Sequence, residues 1–398
     1  MSTPRNLALL LFCGSLVLAL AMGVRFTAGL FLQPMTQAHG WGRETFSFAV
    51  ALQNIVWGVA SPLAGAIADR WGPGRTLAGG AGAYALGLIL MAHAGNPLAL
   101  DLSTGLLIGI GLAGTSYAVV MGIIGRHTPP EKRSMALGIV GAGGSFGQFA
   151  VLPAGQALIG QFGWQSALLV LAVAVALIVP LAATLADRCD SGAAQGGHSV
   201  TTALATAARN RSFHLLFWSY FVCGFQTAFI LLHMPAFVVD AGFSANVGMA
   251  AVALIGLFNI FGTLLFGWCG GRWEFKQLLT VIYGARAMVI LPLLWLPLSE
   301  LGIYAFAAAM GLLWLATVPL TNALVGKVFG LRHMSMLSGL VFLGHQIGSF
   351  VGAWAGGAIF DRSGNYQPAW LIAIALSLIA ALLCRPIDER PLLREATA

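Results

Sequence analysis

The chain has 398 residues, of which 58% are hydrophobic and only 8% charged, with a mean hydropathy of +0.86. Those proportions exclude a soluble globular protein and point to a bilayer. The formal net charge of +7 does not call for a nucleic-acid partner, because the cations fall in the short breaks between apolar runs and form no basic face.

In chain order, apolar runs near the ~20 residues that span hydrocarbon occur at 7–35, 45–68, 76–94, 98–124, 134–160 and 164–185. The first follows Arg5 as a signal-peptide core would. It continues well past such a core without a small-residue cleavage site, so it is expected to stay as an anchor. A polar stretch over 186–212 follows, then six more runs at 213–238, 245–269, 278–297, 301–326, 334–359 and 367–385. Backbone groups in lipid must be paired within the segment, which predicts helices. The expected fold is an all-α integral membrane protein with twelve transmembrane helices in two pseudo-symmetric six-helix bundles, 1–185 and 213–398, joined by a linker over 186–212.

Threaded this way, sixteen of the twenty Lys and Arg residues lie on the side of the N-terminus. Arg43 and Arg362 lie opposite, and Arg25 and Arg286 lie within spans. That bias predicts a multi-pass protein of the inner (plasma) membrane with both ends in the cytoplasm. The five cysteines, Cys13, Cys189, Cys223, Cys269 and Cys384, have no metal or redox spacing and are expected as small core residues.

The halves repeat. Thr27-Ala28 with Gln33 matches Thr227-Ala228 with His233, and Gly65 through Arg70-Trp71 matches Gly267 through Arg272-Trp273. Gly125-Arg126 matches Gly326-Lys327, and Gly138 and Gly147 match Gly339 and Gly348. Parallel repeats of this kind predict a binding site between the halves near the midplane, with access alternating by rocking.

The loop Gly65-Ala-Ile-Ala-Asp69-Arg70-Trp-Gly72-Pro-Gly-Arg75 resembles the signature between the second and third helices of the major facilitator superfamily. The resemblance implies a conformational latch of Asp69, Arg70 and Arg75; the second copy has Gly271 in place of the acid. Within that superfamily the chain resembles the monocarboxylate porters and the oxalate/formate antiporter group. Arg25 precedes Leu30-Phe31 as a lysine does in the first helix of the monocarboxylate porters, and His39-Gly-Trp-Gly-Arg43-Glu-Thr and Leu152-Pro153-Ala-Gly155 are also similar. In the eighth helix, Asn259 and Thr263 stand where that group carries an Asp and an Arg.

Arg25 is the lead candidate for substrate binding. A cation inside a bilayer costs roughly 2.5 to 3.5 kcal/mol on insertion scales unless it faces a partner or a wet cavity. It either pairs with a substrate carboxylate or snorkels to the interface. Tyr117 offers a phenol in the fourth helix, and His345 with Gln346 adds polar groups where the first half has Gly144; the antiporter resemblance implies a cationic role for that helix. His233 near the outer mouth, Asn54, Gln53 and Asn259 complete the substrate-binding candidates, while Arg286 reads as an interhelical partner. No acidic residue is plainly mid-membrane.

These features predict a secondary active transporter of small organic anions, with monocarboxylates the expected class, working by proton-coupled symport or anion exchange. A drug or metabolite exporter of the same fold is the alternative, though it would need a buried acid. A ligand-sensing receptor would bind without flux. No nucleophile triad, metal or nucleotide motif is present, so neither an enzyme nor a cofactor is expected. The expected partners are a carboxylate, H+ and the bilayer, with the chain acting as a monomer.

Overall fold

The computed structural model describes residues 7–128, 130–185, 200–329 and 334–391. Among these residues the chain is helical without a strand. The first half contains α1 (Leu7–Phe26), α2 (Ala28–His39), α3 (Arg43–Trp71), α4 (Pro73–Ala92) and the short α5 (Pro97–Leu100). A π-helical stretch (Asp101–Leu107) leads into α6 (Ile108–Gly114), followed by α7 (Tyr117–His127), α8 (Pro130–Ala176) and α9 (Ile178–Leu185). After α10 (Val200–Arg209), the second half contains α11 (Arg211–Asp240), α12 (Ala245–Gly270), α13 (Phe275–Trp295) and α14 (Glu300–Leu313). It closes with α15 (Thr317–Phe329), α16 (Met334–Ser363) and α17 (Gln367–Cys384).

Among the described residues, ten helical stretches are long and apolar enough to cross a membrane. One of them, Ala136–Leu185, is broken inside α8 at Gly163 (φ 79, ψ 164) and so crosses twice. That positive φ is a left-handed value that favours glycine. Helix α16, packed against α11 and α3, completes twelve spans. The segment expected as a linker is partly structured: Val200–Arg209 is helical, and the Asn210 side chain then caps α11 by accepting from Phe213 N at 3.1 Å. Residues 186–199 lie outside the described residues.

The repeat has a physical counterpart in two glycine seams. A Cβ on Gly147 would lie 2.1 Å from the Ala19 carbonyl oxygen, and one on Gly348 1.9 Å from that of Phe221. The α1–α8 pair and the α11–α16 pair therefore approach backbone to backbone at matching positions. Spans four and ten also break in register, at Thr115–Ser116 between α6 and α7 and at Trp314–Ala316 between α14 and α15. The halves meet along α3–α16, α8–α12 and α2–α11.

Because the spans alternate, the loop after His39, the end of α11 and the end of α16 share one face, called distal here. The start of α1 and the end of α17 share the other, the terminal face.

Candidate functional site

Arg25 lies in the last turn of α1, which stops at Phe26; Thr27 breaks the helix, its hydroxyl donating to the Val24 carbonyl at 2.7 Å. A cation at a helix C-terminus meets the negative end of the helix dipole, worth up to ~2 kcal/mol where partly buried. Arg25 Nη2 donates to Asn54 Oδ1, and its Cζ stands 4.8 Å from the centroid of the Trp57 ring. Its Nε has no partner, and among the described residues no carboxylate pairs with it. A guanidinium carries five N–H donors, so this one keeps unused capacity.

Beside it lies a cavity of about 20 Å³ lined by Arg25, Gly29, Gln53 and Asn54 from the first half and Ala228, Leu231 and Leu232 from the second. That volume holds roughly one water, and Arg25 itself is only partly buried. Asn54 is buried; its Nδ2 donates to the Val50 carbonyl at 3.0 Å, and its own carbonyl accepts from Gln346 Nε2 at 3.0 Å. Gln346 Oε1 is 3.2 Å from His345 Nδ1. The His345 ring stacks on Phe342 at 5.8 Å, and Phe342 meets Trp57 edge-on at 5.8 Å. Arg25, Asn54, Gln346 and His345 thus form one chain of contacts across the two halves. Gln53 lines the same cavity and donates to the Thr104 carbonyl at 3.2 Å.

Other candidates fall elsewhere. Tyr117 packs its hydroxyl against Gly144, where a Cβ would sit 1.9 Å from Tyr117 Oη, and it does not line the Arg25 cavity. Asn259 serves the broken tenth span: its Oδ1 accepts from Leu315 N at 3.0 Å and its Nδ2 reaches Ser145 Oγ at 3.1 Å. His233 is buried and held on both ring nitrogens, by Tyr366 Oη at 3.1 Å and the Ala353 carbonyl at 2.8 Å, away from that cavity. Arg286 is fully buried and donates to Gln226 Oε1 at 3.1 Å, to the Leu313 carbonyl at 2.8 Å and to the Trp314 carbonyl. It therefore satisfies carbonyls freed where α14 ends. Of the latch residues, Arg70 and Arg75 are exposed, and the Asp69 side chain lies outside the described residues.

Sequence reasoning missed a dense polar cluster on the distal face. Arg43 takes Asp240 in a fork, Nη1 to Oδ2 at 2.6 Å and Nη2 to Oδ1 at 2.8 Å. Its Nη1 also donates to Tyr366 Oη at 2.9 Å, and its guanidinium lies 3.7 Å over the Phe360 ring. Gln33 Nε2 adds a bond to Asp240 at 3.0 Å, and Trp354 Nε1 donates to Glu44 at 2.9 Å. Asp361 accepts from the Arg43 and Glu44 amides at 3.0 and 2.7 Å. All of these join the first half to the second. The terminal-face pair Lys327–Glu389, at 2.7 Å, stays within the second half. The missed signal is that Arg43 opens α3 and Asp240 closes α11, on the same face of opposite halves.

Comparison with known proteins agrees with this architecture. The sequence profile described as Major Facilitator Superfamily matches residues 14–340, and the chain belongs to that family of transporters. Among curated relatives, the "Uncharacterized MFS-type transporter YcxA" of Bacillus subtilis (strain 168) is 24% identical, the match covering 92% of this chain and 91% of that protein. The "Monocarboxylate transporter 11" of Mus musculus is also 24% identical, covering 92% of this chain and 83% of that one. Among solved structures, the nucleoside transporter NupG superposes with a TM-score of 0.78 at 16% identity, covering 96% of this chain and 100% of that one.

Proposed function

We propose that this protein is a secondary active transporter of small organic anions, with monocarboxylates as its substrate class. The observation that supports this reading best is Arg25: a cation at the interface of the halves, with an unfilled Nε donor and no carboxylate paired with it among the described residues. Substrate would supply the missing anion, forming charge-assisted hydrogen bonds that are roughly twice as strong as neutral ones. Relatives named monocarboxylate transporters support the same class. A drug exporter binding cations would meet repulsion at Arg25.

In this reading Asn54 and Trp57 orient the guanidinium and Gln346 and His345 complete the polar wall. The halves, 1–185 and 213–398 about a linker at 186–212, rock about the site as a monomer. The Lys/Arg bias supports placement in the inner (plasma) membrane with both ends cytoplasmic. Coupling is to H+ or a counter-anion, with Asp69, Arg70 and Arg75 as the latch. Uptake of labelled short-chain monocarboxylates into proteoliposomes under an imposed pH gradient tests the proposal. Arg25→Ala should abolish uptake while the protein stays folded, and undiminished uptake would overturn the assignment.

A further inference from the structure

The second buried arginine has its own unfinished charge. Arg286 is 1% exposed, its Nε has no partner, and its acceptors are one amide and two backbone carbonyls, which offer fractional charge only. An isolated cation in a low-dielectric interior is costly unless a full opposite charge answers it. Two further groups meet it: the Tyr283 ring, whose centroid is 5.4 Å from Cζ, and Cys223 Sγ, 3.6 Å from Nη2.

Cys223 is itself fully buried and lies 3.3 Å from Thr317 Oγ1. His345 packs at the same seam, where a Cβ on Gly224 would lie 1.8 Å from the His345 carbonyl oxygen and the His345 ring stands 4.9 Å from that of Tyr220. The titratable groups around this centre are Tyr220 from α11, Tyr283 and Arg286 from α13, His345 from α16 and Cys384 from α17. None is a carboxylate. Of the groups in contact with the Arg286 nitrogens, Cys223 is the one that can carry a full negative charge. His345 is half-buried and continues through Gln346 and Asn54 to Arg25.

We propose that Cys223 is the acid–base centre of this carrier, a thiolate paired with Arg286 that exchanges its proton with the central cavity through His345. The inference rests on the proton-coupled form of the proposed function. The step balances: the S–H bond of Cys223 breaks, the proton forms an N–H bond on neutral His345, and imidazolium releases it to water in the opened cavity. Loading runs in reverse. Protonation leaves Arg286 without its counter-ion, so the proton-bound carrier differs in its charge balance from the empty one. This supplies a coupling site in a chain whose helix α12, the eighth span, carries Asn259 and Thr263 in place of charges.

Two measurements test it. In protein carrying Cys13→Ala, Cys189→Ala, Cys269→Ala and Cys384→Ala, far-ultraviolet absorbance should show one thiolate at neutral pH, lost on adding Cys223→Ser. A protein without that absorbance overturns the ion pair. In proteoliposomes, a one-unit pH gradient sustains about tenfold accumulation per coupled proton. Cys223→Ser should keep counterflow exchange and lose that accumulation, and Cys223→Asp should restore it. Native accumulation by Cys223→Ser overturns the coupling role even where the thiolate is seen. Failure of the parent protein to take up any carboxylate sinks the substrate reading alone, and the absorbance still decides the thiolate.

Discussion

Arg43 and Asp240, from opposite halves of the molecule, bind through two parallel hydrogen bonds of 2.6 and 2.8 Å at the distal face. Their side chains are 12% and 31% exposed, and the fork is backed by the Phe360 ring and the Tyr366 hydroxyl. Open surface pairs contribute little, but a bidentate, partly shielded pair of this kind contributes on the order of 1.5 kcal/mol.

Asp240→Asn should therefore shift the balance away from the distal-closed state by about tenfold. Ser47 is buried beneath the cluster, where a Cβ on Gly357 would lie 2.6 Å from its hydroxyl. A Ser47→Cys probe should react faster with an impermeant maleimide applied from the distal side in the Asp240→Asn background. Equal rates in the two backgrounds would count against a lock.

Trp57 presents its face to Arg25. Such a contact is worth ~0.5–2 kcal/mol depending on desolvation. Trp57→Leu should raise KM for carboxylate uptake by about 2- to 30-fold, with the melting temperature of the purified protein nearly unchanged. A loss confined to stability would mean that Trp57 packs without orienting the cation.

The glycine seams predict a paired result. Gly147→Ala and Gly348→Ala should each destabilise the protein by about 1–3 kcal/mol, because the backbones must separate to admit a methyl. Gly79→Ala, which has nothing within 4 Å, should be neutral or stabilising by ~0.4–1 kcal/mol. Thermal shift in detergent would separate the two groups, and a similar response from all three would refute the close approach.

Tyr366 sits at the head of α17, where burial pushes its phenol above the usual range against the opposing pull of Arg43. Folding thus favours the protonated form, so the hydroxyl stays neutral across the physiological range. Its stabilising effect is fully present below the ordinary tyrosine value and is lost as pH rises through the elevated one. Tyr366→Phe should weaken the distal lock by the same factor in mildly acid and mildly alkaline buffer, measured with the Ser47→Cys probe. A factor that changes between those buffers would contradict this assignment.

The spans and their repeat were legible because hydrocarbon thickness and close helix packing leave marks in composition: long apolar runs, and glycines such as Gly147 and Gly348 at matched positions. Arg25 was legible as a lone cation among apolar residues. Trp57 was not, although it lies three residues after Asn54 on the same helix, because an aromatic in a membrane helix has many uses. The break after Leu313 carries no proline at the break itself, so the carbonyls that hold Arg286 and the cap provided by Asn259 could not be foreseen. The pairing of Arg43 with Asp240 and Asp361 was not legible, because it depends on how one half docks on the other.

Asp361 completes the first turn of α3 from the other half of the protein, through the amides of Arg43 and Glu44. Helix α3 borrows its N-terminal cap. When the distal face parts, those two amide donors lose their acceptor together, and only water can replace it. Opening on this side is therefore a hydration event from its first step, and conditions that dry the distal face should slow it.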